Sequence, residues 1–150
     1  MSSAVMNRDI AEARKLYIDS NIIIYYIEGS EESQRQADVL FEYAESNNII
    51  LMTSEIAIGE CLYGAYKRGR KDSVEKFEML FDDTGLFHFI PVDIEIIMRA
   101  AKIGAENKLK IIDALHFASA IDVECDAFVT NDRGIQSSPD LKVVQLSNCR

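Results

Sequence analysis

The sequence predicts an α/β protein built on a parallel sheet that helices cover on both faces. Three observations carry that prediction. Strand-like segments alternate with helical ones along the chain, and most strand segments are continuously apolar, as strands buried on both sides are. No internal repeat, low-complexity tract or Pro/Gly-rich linker interrupts the alternation. With 150 residues, 16.9 kDa and 48% hydrophobic residues, the chain fits one domain with one filled core.

Residues 1–14 are polar and lack strand character, so they are read as an N-terminal arm, frayed or forming a short helix, ahead of a domain spanning 15–150. Residues 15–19 read as a strand and 20–26 as a short helix. Residues 31–46 place Ala37, Leu40, Phe41 and Ala44 on one face at helical spacing, opposite acids and glutamines, which predicts an amphipathic helix on the sheet. Residues 49–53 form the next strand, Ser54 is a fitting N-cap, and 55–68 continue as helix. Residues 72–81 are again helical, ending near Gly85, and "LFHFIPV" (86–92) has strand character. Helices over 93–107 and 113–123 follow, and strands over 126–130 and 141–146 close the chain.

Net charge is −9 with an isoelectric point near 4.7, which argues against a broad basic face for nucleic acid. Acidity does not exclude a polyanion partner, because carboxylates gathered around a divalent metal invert the local potential. Cys61, Cys125 and Cys149 are odd in number and far apart, without a CxxC pair, which points to reduced thiols and away from a disulfide framework or zinc knuckle. No apolar stretch approaches the roughly 20 residues of a membrane-spanning helix, and residues 1–15 lack the apolar core of a secretory signal. A soluble, cytoplasmic protein is the expectation.

In parallel sheets, ligands bind beyond the carboxyl ends of the strands. Asp19 ends the first strand and Asp132 lies just past "DAFVT", so two carboxylates from opposite ends of the chain reach that edge. Glu60 lies on a helix with Ile56, Ala57, Tyr63 and Gly64 as its neighbours and no basic partner on its face. An ionised carboxylate so placed costs several kcal/mol unless paired or coordinated, so something outside the helix must satisfy it, whether a distant Lys or Arg or a bound ion. Asp113 in "IIDALHFASAI" is a second lone acid, with His116 and Phe117 above it. Each has a structural account too: Asp19 and Asp113 as helix N-caps, Asp132 as a turn former. His116 is read as a packed or solvent-facing histidine, and His88 carries no functional weight.

Four segments in order, "IDSNIII", "TSEIAIGECLYG", "KIIDALHFASAI" and "FVTND", resemble the motifs of PIN-domain proteins, the small metal-dependent ribonucleases that include VapC-type toxins. The resemblance runs from about Lys15 to Leu146. It implies a three-layer α/β/α fold with a five-stranded parallel sheet in the order 3-2-1-4-5. It implies an Mg2+- or Mn2+-dependent endoribonuclease, with Asp19, Glu60, Asp113 and Asp132 as catalytic metal ligands supported by Asn21 and Thr130. It also implies an RNA substrate, an antitoxin partner and a homodimer. Many members carry a further acid after the fourth aspartate; here Arg133, Gly134 and Ile135 follow, which bears on whether a second metal binds.

For substrate contact the local candidates are Lys67, Arg68, Arg70 and Lys71 in "KRGRK", with Arg133 beside Asp132. The same cations at a helix C-terminus would favour the macrodipole, a purely structural account. A non-cleaving PIN module, binding RNA or protein as a scaffold, is the alternative function. A haloacid-dehalogenase-like phosphatase would want Asp where Asn21 stands, and a response-regulator receiver would want a paired acid and a late lysine that are not in place.

Overall fold

The structure, a computed structural model, describes residues 7–148. Five strands form one sheet: β1 (Lys15–Ile18), β2 (Ile50–Ser54), β3 (His88–Ile90), β4 (Ala127–Thr130) and β5 (Val143–Gln145). Their order is β3-β2-β1-β4-β5 and every pairing is parallel, with Tyr17 aligned to Met52 on one side and Phe128 on the other. The α/β class, the parallel sheet and the strand order expected from the sequence are thus observed. Seven α-helices connect the strands among the described residues: α1 (Arg8–Ala11), α2 (Ser20–Glu28), α3 (Glu31–Ser46), α4 (Glu55–Lys67), α5 (Lys71–Asp82), α6 (Ile94–Asn107) and α7 (Ile111–Asp122). None of the helices is long and apolar enough to cross a membrane.

The sheet separates two cores. Leu16 and Ile18 of β1, with Ala127 and Val129 of β4, face one core, which also takes Ala37, Leu40 and Phe41 of α3 and Phe77 of α5. Tyr17 and Phe128, one residue out of phase, face the other, filled by Ile96 and Ala100 of α6 and by Ala114, Phe117 and Ala118 of α7. Residues 114–120 of α7 are all buried, which explains why "DALHFASAI" shows no polar stripe: a helix apolar on every side lies inside. It packs closely on α6, where a Cβ added at Gly104 would meet the Ala114 Cβ at 3.1 Å.

Several ends differ from the sequence reading. The strand expected over 86–92 is limited to His88–Ile90, because β2 ends at Ser54, the partner of Ile90, and Pro91 has no N–H to donate. The last strand is likewise cut to Val143–Gln145, since Leu141 bridges back to Ser138 and Leu146 enters a 3-10 turn. Lys110, not Asp113, is the N-cap of α7; Asp113 sits inside the first turn, so capping is not its task. Within the segment read as an arm, Ile10 of α1 is fully buried in the first core, while residues 1–6 lie outside the described residues, as does Cys149.

Candidate functional site

The carboxyl ends of β1, β2 and β4 open on one edge of the sheet. Asp19 follows β1 directly and caps α2, its Oδ1 accepting the Ser20 N–H at 2.9 Å. It is 3% exposed, and its other oxygen accepts from the Thr130 hydroxyl at 2.7 Å and the Asn21 amide at 3.2 Å. Thr130, the last residue of β4, does more than hold Asp19. Its oxygen also accepts the Asp132 N–H at 3.0 Å and the Asn21 side-chain N–H at 3.1 Å. One hydroxyl therefore ties the end of β1 to the turn that carries Asp132, and the Asn21 carbonyl oxygen, accepting from the Asn131 N–H at 3.2 Å, adds a second tie. Asp132 makes the expected turn as well: its Oδ1 accepts the Gly134 N–H at 2.8 Å.

Glu60 comes from the second turn of α4, and the partner that its apolar helix face required is neither Lys nor Arg. It is His116 of α7, whose Nε2 lies 2.5 Å from Glu60 Oε1. The ring is fully buried, and its Nδ1 lies 2.5 Å from the Tyr17 hydroxyl. A buried imidazole needs both nitrogens bonded, because an unsatisfied one costs about 1–3 kcal/mol. Of the two sequence readings of His116, packed or solvent-facing, the packed one holds, and the structure adds that the ring is bonded at both ends. Nothing local could have signalled the pairing, since Glu60 and Tyr17 are 56 and 99 positions away in the chain. The available hint was period: Tyr17 is two residues before Asp19, on the same side of the strand.

The acids are close enough for the charges of Asp19, Glu60 and Asp132 to act on Asp113, and that of Glu60 on Asp19. Asp113 is held above the ordinary carboxylate range by partial burial, then by the charges of Asp19 and Asp132, with Glu60 adding to them and His116 opposing. Burial also raises Asp19, against the lowering effect of His116 and the Thr130 hydrogen bond. Burial alone would lower His116, but the Glu60 hydrogen bond and the charges of Asp19, Glu60 and Asp113 leave it above the usual imidazole value. Four carboxylates are hard oxygen donors of the kind Mg2+ and Mn2+ take. Among the described residues, however, no three His, Cys, Asp or Glu side chains form a set disposed to hold a metal ion. Glu60 is engaged by His116, and Asp19 by its three donors.

The basic candidates lie elsewhere on α4 and beyond. Lys67 ends that helix, about 10 Å along its axis from Glu60, with its ammonium 6.0 Å from the centre of the exposed Tyr63 ring. Arg68 pairs with the Glu28 carboxylate, and Arg70 with Asp72 at 3.3 Å. Lys71 opens α5 at its N-terminus, where the macrodipole disfavours a cation, so the helix-end account fits Lys67 and not Lys71. Arg133 is exposed beside Asp132.

A five-stranded parallel sheet in this order, with acids gathered past its central strands, defines a class of small α/β proteins with acidic side chains at the strand ends. The PIN domain family model matches residues 16–140, and the chain belongs to that family. No curated protein matches it. Among solved structures it is similar to a toxin-antitoxin complex from Klebsiella pneumoniae, with 23% identity over 87% of this chain and 97% of that one and a TM-score of 0.66. DNA-bound VapBC from Salmonella typhimurium is 19% identical over 88% and 98% of the two chains, with a TM-score of 0.64. A sarcin-ricin loop cleaving VapC toxin of Mycobacterium tuberculosis is 16% identical over 75% and 86%, with a TM-score of 0.63. At these identities the likeness is one of fold.

Proposed function

We infer that the chain is an Mg2+- or Mn2+-dependent endoribonuclease, the toxin of a toxin-antitoxin pair. The observation that carries this reading is the convergence of Asp19, Glu60, Asp113 and Asp132 from four segments of a PIN-family chain: the Thr130 hydroxyl bonds Asp19 and the Asp132 N–H, His116 Nε2 lies 2.5 Å from Glu60 and 4.0 Å from Asp19, and Asp113 feels the charges of Asp19 and Asp132. Charges of one sign gathered in a partly buried place destabilise the fold unless a cation joins them. These four carboxylates are the donors that would hold the metal, although they do not stand as a ligand set in this structure and binding would have to draw them together. A bound Mg2+ or Mn2+ supplies an activated water, an oriented phosphate and relief of charge on the phosphoryl oxygens.

The chain's own groups then have separate tasks. Thr130, Asn21 and the Ser20 N–H fix both oxygens of Asp19, and the Gly134 N–H fixes one of Asp132. Lys67, Lys71, Arg70 and Arg133 offer positive charge to backbone phosphates, while Arg68 is held by the Glu28 carboxylate, whose side chain is only 8% exposed, and is the least available of the five. Three solved neighbours are toxins or toxin-antitoxin complexes, which supports an antitoxin as protein partner. Exposed Ile94, Ile97 and Met98 on α6, with Ile111 at the start of α7, favour self-association as a homodimer. Sedimentation should detect a dimer that an Ile97→Lys, Met98→Lys double variant dissociates.

The engagement of Glu60 by His116 is the observation that favours the second reading, a non-cleaving scaffold. An assay on transfer, ribosomal and messenger RNA separates the two. Cleavage should require Mg2+ or Mn2+, stop with EDTA, and fall at least about 100-fold in Asp19→Asn, whose side chain still caps α2. Binding without metal-dependent cleavage would establish the scaffold, and cleavage that survives EDTA would refute the proposed mechanism.

A further inference from the structure

Tyr17 and His116 are buried polar side chains that the chemistry above leaves without a task, and they lead to a group that it uses. We propose that they form a hydrogen-bond chain that sets the orientation of the Glu60 carboxylate, making His116 a positioning residue for the cation. The inference rests on Glu60 being a metal ligand.

The chain is continuous. Tyr17 Oη lies 2.5 Å from His116 Nδ1, and His116 Nε2 lies 2.5 Å from Glu60 Oε1. Its far end is fixed to the sheet, because the Tyr17 ring stacks on Phe128 at 5.1 Å with planes 4° apart and meets the His116 ring edge-on. The direction of the last bond follows from chemistry: a carboxylate only accepts, so Nε2 donates to Glu60 whether the ring is neutral or charged. In the neutral ring Nδ1 then accepts from the Tyr17 hydroxyl; in the imidazolium it donates to the phenol oxygen. The chain persists in both states, so the orientation of Glu60 does not depend on titration.

Glu60 is a long side chain on a helix face that gives it no other partner, and free rotation would cost entropy on each binding event. The His116 bond fixes Oε1 and leaves Oε2 for a cation. His116 Nε2 is also 4.0 Å from Asp19 Oδ1, so a single rigid ring spans two of the acids and holds their spacing. The apparent obstacle to metal binding, a glutamate already engaged, becomes the means of presenting it. Hydrogen bonds that orient a ligating group are worth about 10- to 100-fold in metal affinity.

The test is a calorimetric titration of Mn2+ into the full chain, with metal-free melting as the check on folding. His116→Leu, which removes the donor, should weaken Mn2+ about 10- to 100-fold, and His116→Gln, whose amide N–H reaches the same carboxylate, should recover most of that loss. Tyr17→Phe should weaken binding several-fold without unfolding the chain, and it decides the matter if the Leu variant does not fold. Independently of metal, 1H–15N spectra should show a His116 Nε2–H protected from exchange in the wild type and lost in Glu60→Ala. Equal affinity across the His116 and Tyr17 variants, equal loss in the Leu and Gln variants, or an unprotected Nε2–H would each overturn the proposal. Asp19→Asn and Glu60→Gln keep the two levels apart. If they also leave Mn2+ binding unchanged, the metal reading itself fails; if they weaken it while the His116 and Tyr17 variants do not, only the positioning role fails.

Discussion

Asp113 shows how a single side chain records the character of the site. It is half-buried, and the nearby charges of Asp19 and Asp132 make its ionised form costly. Asp113→Asn should therefore raise the metal-free melting temperature, on the order of 2 °C, while abolishing the additional rise that Mg2+ gives the wild type. The pH dependence follows from the same groups. Asp19 and Asp113 titrate above the ordinary 3.8, and His116 above 6.5. Each keeps its proton in the folded chain at pH values where the unfolded chain has lost it, so within that window the folded state binds more protons and stability falls as pH rises. For the aspartates the penalty is absent below 3.8 and complete above their raised folded values. The histidine's contribution is full below 6.5 and lost as pH passes its folded value. The metal-free protein should melt at a higher temperature near about pH 5.5 than near about pH 8. Scanning calorimetry at the two values checks this, and a smaller difference in His116→Leu would assign part of it to the ring.

Among the elements, α7 carries the most. It brings Asp113 and His116 to the sheet edge, and it packs on α6 at Gly104, where an added Cβ would be tightly placed against the Ala114 methyl. Leu109 O stands 3.3 Å from the same point, so backbone as well as the Ala114 methyl crowds it. Gly104→Leu should destabilise the protein by about 1–3 kcal/mol through overpacking, and it should weaken Mn2+ binding although it touches none of the acids. Chemical denaturation and a metal titration on the same variant measure both effects. A loss of stability with undiminished metal affinity would mean that α7 keeps its place by sheet contacts alone. The helix had an ambiguous sequence: an acid early in an apolar run reads as an N-cap until the structure places Lys110 there.

For the whole molecule the balance lies between a net charge of −9 and a proposed substrate, RNA, that is itself a polyanion. A cation bound only to the folded state, at about a hundred times its dissociation constant, adds about 2.7 kcal/mol of stability. Millimolar Mg2+ should therefore shift the melting curve upward, and the absence of any shift would count against the site. Among the described residues, Lys67 and Lys71 pair with no carboxylate, whereas Arg68 and Arg70 do. Reversing both lysines should weaken RNA binding and reduce its salt slope by about 1 per lost phosphate contact. Unchanged binding would leave the two as helix-end charges.

By itself the sequence determined the class and the position of most elements, because continuous apolar strands and amphipathic helices such as Glu31–Ser46 are written in local periodicity. It also marked Glu60 and Asp113 as lone carboxylates among apolar residues, and put Asp19 and Asp132 at the carboxyl ends of strands. Only the tertiary structure decided how those acids are satisfied. The Glu60 partner proved to be a histidine 56 residues away, and one threonine hydroxyl joins Asp19 to the backbone of Asp132. The physical reason is that burial and hydrogen-bond partnership depend on which segments the sheet order brings side by side, and no local pattern encodes a contact across that distance.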